Sequence, residues 1–349
     1  MKAVYFKKHG GPEVLEVGEL EAPAAGSGEV LIDVRATSLN HLDIFVRQGL
    51  PGIELPLPHV PGCDAAGRVA AIGDGVSDVA VGDRVLVNPS ITCGRCEVCV
   101  RGDASMCRRL QIIGEHVWGG YAEKLVVPED NVVKIPDHFS YEEAAAVPMV
   151  FVTAWRMLVT RGKLRPAEDV LILGAAAGVG SACIQIAKGA GARVIAAASS
   201  DDKLEFCREL GADVLINYKD EDFLERVREE TGKRGVDICV DYVGKATWVK
   251  SLRSLAKGGR LLTCGATTGY DPPTDLRYIF YNQLEVIGST TGTRNELLAP
   301  LQLLFRGAMK ATIGRVMDLA DTAEAHRLME KREVLGKLVI RVSSDNQGK

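Results

Sequence analysis

The chain contains no run of basic residues, no apolar stretch of bilayer length and no internal repeat. Forty-two basic against 46 acidic side chains leave a formal net charge of -4, so no surface is expected that neutralises a row of nucleic-acid phosphates. The longest lipid-like stretch, 147–159, is interrupted by Arg156 and falls short of the ~20 residues of a spanning helix. Met1-Lys2-Ala3-Val4-Tyr5-Phe6 meets Lys7-Lys8-His9 at once, too short an apolar run for a signal peptide. These absences exclude nucleic-acid and membrane partners and lead to the expectation of a soluble, cytoplasmic protein. The nine cysteines are an odd number, which argues against a disulfide framework and for metal binding or burial.

What is present is an ordinary globular mixture, 46% apolar and 25% charged, in 349 residues. At ~150 residues per domain that length favours two domains, each able to bury its own core. The first half reads as short strands, at 29–34, 67–73 and 82–87, separated by glycine, proline and aspartate turns. Past Arg165-Pro166 strands alternate with helix-length segments: strands at 170–173, 194–197, 214–217, 238–242 and 261–264, helices at 178–188, 202–210, 222–231 and 247–255. That alternation predicts a parallel sheet flanked by helices. A strand-like 284–288 precedes a last mixed segment, 295–342, and the polar tail 343–349 is expected to be mobile.

Cys93, Cys96, Cys99 and Cys107 follow one another as C-x2-C-x2-C-x7-C in a loop that also holds Gly94 and Gly102. This spacing lets one short excursion wrap a tetrahedral zinc ion with four sulfur ligands and no open position, a structural rather than a chemical role. A ferredoxin-type run would end C-x3-C-P, whereas Cys107 lies further on and is followed by Arg108.

The strand at 170–173 runs into Gly174-Ala175-Ala176-Ala177-Gly178-Val179-Gly180 and then a helix. Small residues there, Ala175, Ala177, Gly178, Val179 and Gly180, permit a tight turn and a close approach of backbone N–H groups to a pyrophosphate at the helix N-terminus. Counting about twenty residues from Gly178, where an NAD site places a carboxylate, reaches Ala198. Ser199 and Ser200 follow, with Lys203 near enough to pair with a phosphate. NADP(H) is therefore expected over NAD(H), with Asp201 in the acidic role as the counter-reading.

Together these features resemble the medium-chain dehydrogenase/reductase superfamily, which includes zinc alcohol dehydrogenases and quinone oxidoreductases. The resemblance runs through Gly62-Cys63-Asp64-Ala65-Ala66-Gly67, the cysteine quartet, Gly119-Gly120-Tyr121-Ala122-Glu123, the glycine turn, Asp241-Tyr242-Val243-Gly244 and Gly336-Lys337-Leu338-Val339. It implies an α/β chain: a doubly wound parallel Rossmann sheet at 151–288, and a GroES-like β-rich catalytic domain from 1–150 completed by 289–349. It also implies a homodimer or homotetramer joined through the Rossmann sheet edge at 284–289. By resemblance, His41, Thr153, Tyr218, Val243, Gly265, Ala266, Gly288, Ser289, Thr290 and Lys337 are expected on the cofactor.

The departures from the family are as informative. The second, catalytic zinc of alcohol dehydrogenases needs a cysteine where this chain has Asn40, a histidine where it has Cys63 and a glutamate where it has Asp64, and its remaining ligand falls near Met149. The hydroxyl and histidine of the family's proton relay correspond to Leu42 and Phe45. A rescued site of Cys63, Asp64 and His116 is chemically conceivable, but a lone histidine is more often a wall residue than a ligand. Asn40 and Asp43 are then the polar groups expected nearest the hydride path, with Cys63 and Asp64 completing the candidate catalytic set.

Without a catalytic metal, charge developing on oxygen must be met by hydrogen bonds or by conjugation in the substrate. The leading expectation is NADP(H)-dependent reduction of a quinone or α,β-unsaturated carbonyl, with one structural zinc and Asn40 orienting the substrate oxygen. The alternatives are an alcohol dehydrogenase or aldehyde reductase with an atypical zinc at Cys63 and Asp64, and a non-catalytic NADP(H)-binding protein.

Overall fold

In the computed structural model residues 1–343 are described, so the tail 344–349 lies outside the described residues. By its internal contacts the chain forms two units, one of Met1–Met149 with the segment from Thr293 onward, the other of Val150–Gly292. The return to the first unit comes after Gly292 rather than after 288, because Ser289 N–H still bonds the Thr263 carbonyl (2.9 Å) at the end of a neighbouring strand.

The first unit is built on a seven-stranded sheet. Its order is Ile313–Asp318, Lys337–Arg341, Glu29–Ser38, Asp64–Ile72, Arg84–Val87, Val132–Lys134, with Lys124–Pro128 also pairing on Glu29–Ser38. Glu29–Ser38 shows why a strand forms here: Val30, Ile32, Val34 and Ala36 alternate inward and join Val69, Val85 and Leu125 in a buried core. The strand expected at 67–73 begins three residues earlier, at Asp64, since the antiparallel ladder continues through Ala36↔Ala66 to Ser38↔Asp64. Gly67 makes that ladder possible: a Cβ there would stand 2.0 Å from the Asp33 carbonyl oxygen, beside a register shift.

Two register facts decide what meets in this unit. Val339 pairs with Ser38 and Leu39 N–H bonds the Leu338 carbonyl (2.9 Å), so the antiparallel register carries Lys337 to the level of Asn40. Ser38 also pairs with Asp64 on its other side. Three strand ends remote in sequence thus converge.

The second unit is a six-stranded, wholly parallel sheet in the order Val214–Asn217, Arg193–Ala198, Asp169–Leu173, Val236–Val240, Leu255–Thr263, Glu285–Gly288. Numbered along the chain this is 3-2-1-4-5-6, the doubly wound arrangement whose ligand crevice lies beyond the carboxyl ends of the strands, where the order reverses. The central strands are apolar on both faces, as burial under helices on two sides requires: Val170, Leu171 and Ile172 are fully buried, as are Val194, Ile195 and Ala196. The helices are Gly178–Gly189, Asp201–Glu209, Phe223–Glu230, Trp248–Arg253 and Leu276–Asn282.

Thr153 lies inside the helix Pro148–Trp155, whose first residue is a proline, suited to a first helical turn. The lipid-like stretch continues as a π-helical turn, Arg156–Arg161, and among the described residues no helix is long and apolar enough to cross a membrane. Of the cysteines expected to pack inside elements, Cys183, Cys207 and Cys239 are buried, while Cys264 lies just past its strand and is only partly covered.

Candidate functional site

The cysteine loop is formed by local chain reversal. Cys96 starts a single helical turn, Glu97–Val100, and Ala104–Met106 adds a short 3-10 turn that brings Cys107 back. The four sulfur atoms lie within 4.8 Å of one another. Four Sγ–Sγ separations are 3.4, 3.5, 3.8 and 4.0 Å. A tetrahedral zinc with sulfur bonds of about 2.3 Å has edges of about 3.8 Å, so these donors fit the ion. Cys107 Sγ also receives the Arg109 and Cys93 backbone N–H groups (3.3 and 3.5 Å), the polarity expected around a thiolate. Among the described residues, this quartet is the one group of three or more His, Cys, Asp or Glu side chains arranged to hold a metal.

The candidate catalytic residues converge elsewhere in the first unit, but not as the sequence reading had them. Gly62, at φ +101 and with a Cβ-sized space only 2.4 Å from the Tyr121 ring, turns the chain so that Cys63 and Asp64 enter the interior. Asn40 precedes the helix His41–Gln48, and its amide nitrogen donates to Cys63 Sγ (3.1 Å) and Asp64 Oδ2 (2.8 Å). Its Oδ1 accepts from the Lys337 ammonium (2.7 Å). Both amide hydrogens are therefore used inside the protein. That corrects the expectation that Asn40 orients a substrate oxygen, since no donor is left for it.

Lys337, expected on the cofactor, is also corrected. Its ammonium is buried, bonding the Leu39 carbonyl (2.6 Å), Asn40 Oδ1 and Asp64 Oδ2 (3.3 Å). Asp64 is saturated: Oδ1 accepts the Met149 N–H (2.8 Å), and Oδ2 accepts the Ser38 hydroxyl (2.9 Å) besides Asn40 and Lys337. Met149 packs with Cys63, Ile112 and Leu42. Burial, and then the Asp43 and Asp64 charges, push the Cys63 thiol well above its ordinary range. An amide, one thiol, a carboxylate already accepting four hydrogen bonds, a thioether and an ammonium are a poor donor set for zinc. His116 joins no such set either, its Nδ1 accepting the Ile112 N–H (3.1 Å).

Asp43 is fully buried and holds the turn rather than facing a hydride path. Its oxygens accept the Asn40 N–H (2.7 Å), the Gly62 N–H (3.2 Å) and the Tyr121 hydroxyl (3.2 Å). Burial raises its pKa to about 7, against the lowering effect of Asn40 N–H and Lys337. From Tyr121 the hydrogen-bonded chain continues to His326 Nε2 (3.4 Å), from His326 Nδ1 to Arg47 (3.1 Å), and from Arg47 to Glu330, which is partly exposed. Burial beside the Arg47 cation lowers the His326 pKa to about 3. The sequence reading passed over Arg47, Tyr121 and His326 as individual residues, although a buried arginine and histidine need partners found only across 279 positions of sequence.

In the second unit the expected cofactor residues stand at or just past the carboxyl ends of parallel strands, except Thr153, which lies in the helix Pro148–Trp155. Gly178–Gly189 begins at Ala177 without a side-chain cap, leaving its first N–H groups to a ligand. Gly180 admits no side chain, because a Cβ would meet the Ala175 carbonyl oxygen at 2.6 Å. Tyr242 reaches across the reversal point and donates its hydroxyl to the Gly174 carbonyl (2.8 Å). The fully buried Asp241 fixes the next loop, accepting from Val243 N–H, Gly244 N–H, Thr247 Oγ1 and Ser251 Oγ at 2.6 to 3.0 Å. Gly244 lies against Ala266, which brings the Val243 and Gly265-Ala266 loops side by side. Lys203 donates to Ser199 Oγ (3.1 Å), and Ser200 stands just before the helix Asp201–Glu209 without a side-chain capping bond. Asp201 accepts from Asn217 Nδ2 (3.2 Å), and Tyr218, bonded through its N–H to Ala198 (3.1 Å), leaves its ring 38% exposed. Gly288 and Thr290 are exposed, while Ser289 Oγ and Thr291 Oγ1 are buried with no partner. An uncapped helix start, a glycine cradle and orphaned hydroxyls at one sheet end fit a dinucleotide. His41, in the first unit, is exposed at the start of its helix.

Comparison with known proteins agrees with both units. Residues 26–137 match the family model described as the alcohol dehydrogenase GroES-like domain, and 178–306 match that of the zinc-binding dehydrogenases. An alcohol dehydrogenase of Geobacillus stearothermophilus is 35% identical, covering 98% of this chain and 100% of the relative. An acryloyl-coenzyme A reductase of Metallosphaera sedula is 30% identical, with 97% and 99% covered. Among solved structures, one of an NAD-dependent alcohol dehydrogenase superposes with a TM-score of 0.95 at 45% identity, covering 98% of this chain and all of that one. With the two matched domains, the parallel sheet and the thiol quartet in place, the chain belongs to the medium-chain dehydrogenase/reductase superfamily of oxidoreductases.

Proposed function

We propose that the protein reduces a conjugated carbonyl compound, a quinone or an α,β-unsaturated carbonyl, using NADPH, with zinc held only by Cys93, Cys96, Cys99 and Cys107. The observation that carries this reading is Lys337 with Asn40 at the place where family alcohol dehydrogenases hold their metal. A carbonyl reduced there has no Lewis acid and, with the Asn40 amide engaged, no amide donor to meet its developing charge. Conjugation in the substrate meets that need. Acryloyl-coenzyme A, the compound for which the Metallosphaera sedula reductase is named, is a conjugated carbonyl of this kind.

The bound nicotinamide supplies the hydride. The chain's own residues bind and orient: the N–H groups at Gly178, Val179 and Gly180 take the pyrophosphate, Ser199, Ser200 and Lys203 take the 2'-phosphate, and Tyr218 covers the adenosine side. Val243, Gly265, Ala266 and Ser289 hold the carboxamide end, and Asp241 keeps the first of these loops in shape. The proton that completes the reduction comes from water. The exposed edge strand Glu285–Gly288, paired on one side only, supports association of two copies through this sheet.

A second reading, interconversion of an ordinary alcohol and aldehyde with NAD, is favoured by the 45% identity to an NAD-dependent alcohol dehydrogenase. Initial rates over enones, quinones, acryloyl thioesters, aldehydes and alcohols separate the two. The proposal expects kcat/KM for a conjugated carbonyl to exceed that for saturated aldehydes at least about a hundredfold, a ΔΔG‡ of about 2.7 kcal/mol. Faster NAD-linked oxidation of a simple alcohol overturns it. In Ala198→Asp with Lys203→Ala, NADPH affinity is expected to fall sharply with NADH use kept; unchanged NADPH affinity overturns the phosphate assignment.

A further inference from the structure

Asp64, Asn40 and the Leu39 carbonyl present oxygen atoms to one buried point at the ends of three strands, and the Lys337 ammonium occupies it at 3.3, 2.7 and 2.6 Å. The strand register delivers Lys337 there, and the surroundings give it no route outward, since its side chain is only 2% exposed. Cys63 Sγ accepts from the Asn40 amide and packs against Met149.

We infer that Lys337 closes this point to divalent metal: its ammonium is a built-in monovalent cation that takes the oxygen donors and the counter-charge a metal would need. Two cations a few ångströms apart in a buried setting repel strongly, and the Asp64 Oδ2 atom that Lys337 approaches already accepts from Ser38 and Asn40. Lys337 is a positioning residue in this sense, holding Asn40 and Asp64 in one arrangement.

The inference rests on the metal-free reading above, and cobalt binding tests the two separately. Protein with its quartet loaded with zinc is titrated with Co2+ and followed by thiolate-to-cobalt absorbance and by metal stoichiometry. The parent is expected to show no added band that depends on Cys63, judged against Cys63→Ser. Such a band in the parent overturns both the inference and the metal-free reading. In the paired substitution Asn40→Cys with Cys63→His, which supplies soft donors again, Co2+ is expected to bind at least tenfold more tightly when Lys337→Met is added. Equal affinity with and without Lys337→Met overturns the inference alone. Thermal melts of each variant establish folding, and the parent titration decides if a variant does not fold.

Discussion

The cysteine loop and the Asn40, Cys63, Asp64 and Lys337 cluster, the two places in the first unit that the resemblance matches to metal positions, differ in how their donor atoms are bonded. In the loop four sulfur atoms face one another within 4.8 Å, with backbone N–H groups behind one of them. In the cluster each donor atom is already bonded to another protein group, and a lysine supplies the positive charge. A metal site is thus defined by what its donors are free to do. Residue type alone does not separate the two places, since both contain a buried cysteine, Cys107 in one and Cys63 in the other.

Breaking the loop should have the largest effect. Cys107→Ser is expected to take zinc from one per chain to none, removing metal binding free energy on the order of 10 kcal/mol. Atomic absorption on dialysed protein, with limited proteolysis of the loop, measures it; retained zinc would erase the contrast. Breaking the cluster comes next. Lys337→Met leaves Asp64 buried without its counter-charge, an expected loss of about 3–5 kcal/mol in urea unfolding with zinc content unchanged.

The two buried titrating groups beside the cluster sharpen the comparison through pH. Asp43 binds a proton more tightly folded, at about 7, than unfolded, so its contribution is complete below the ordinary carboxylate range and is lost as pH rises through 7. His326 binds its proton less tightly folded, at about 3, so its contribution is present above the ordinary histidine value and is lost on acidification toward 3. Asp43→Asn is expected to flatten the decline between about pH 4 and 7, where one group gives a slope of up to ~1.4 kcal/mol per pH unit, and His326→Gln to flatten the acid limb. Chemical denaturation across pH tests both, and unaltered profiles would show that these groups are not the source. The smallest effect is expected for Cys63→Ser. A serine oxygen still accepts the Asn40 amide, so stability should change by about 1 kcal/mol and zinc should stay at one per chain. Loss of zinc in this variant would mean that Cys63 is a ligand after all.

Much of the fold was legible in the sequence for local reasons. The strand Val214–Asn217 stands where its apolar run put it, and the glycine turn opens Gly178–Gly189 as its small residues required. The strand from Asp64 was placed late, because Asp64, Ala65 and Ala66 carry no strand signal of their own and are held by the ladder to Glu29–Ser38. The candidate residues Asn40, Cys63 and Asp64 do meet, yet their roles were misread. A side chain's partners, and so its spare hydrogen-bonding capacity, are not written in its neighbours along the chain.

The sequence by itself determined the thiol quartet, whose ligands lie within fifteen residues and need only a loop to meet, and the strand, turn and helix series that makes a nucleotide fold. The tertiary structure alone decided the fate of the second metal position. Lys337 and Asn40 are 297 residues apart, and a strand register that no local pattern encodes brings them together. Once they are buried side by side, every polar atom must find a partner within reach, and that requirement turned an amide, a carboxylate and an ammonium into a closed cluster.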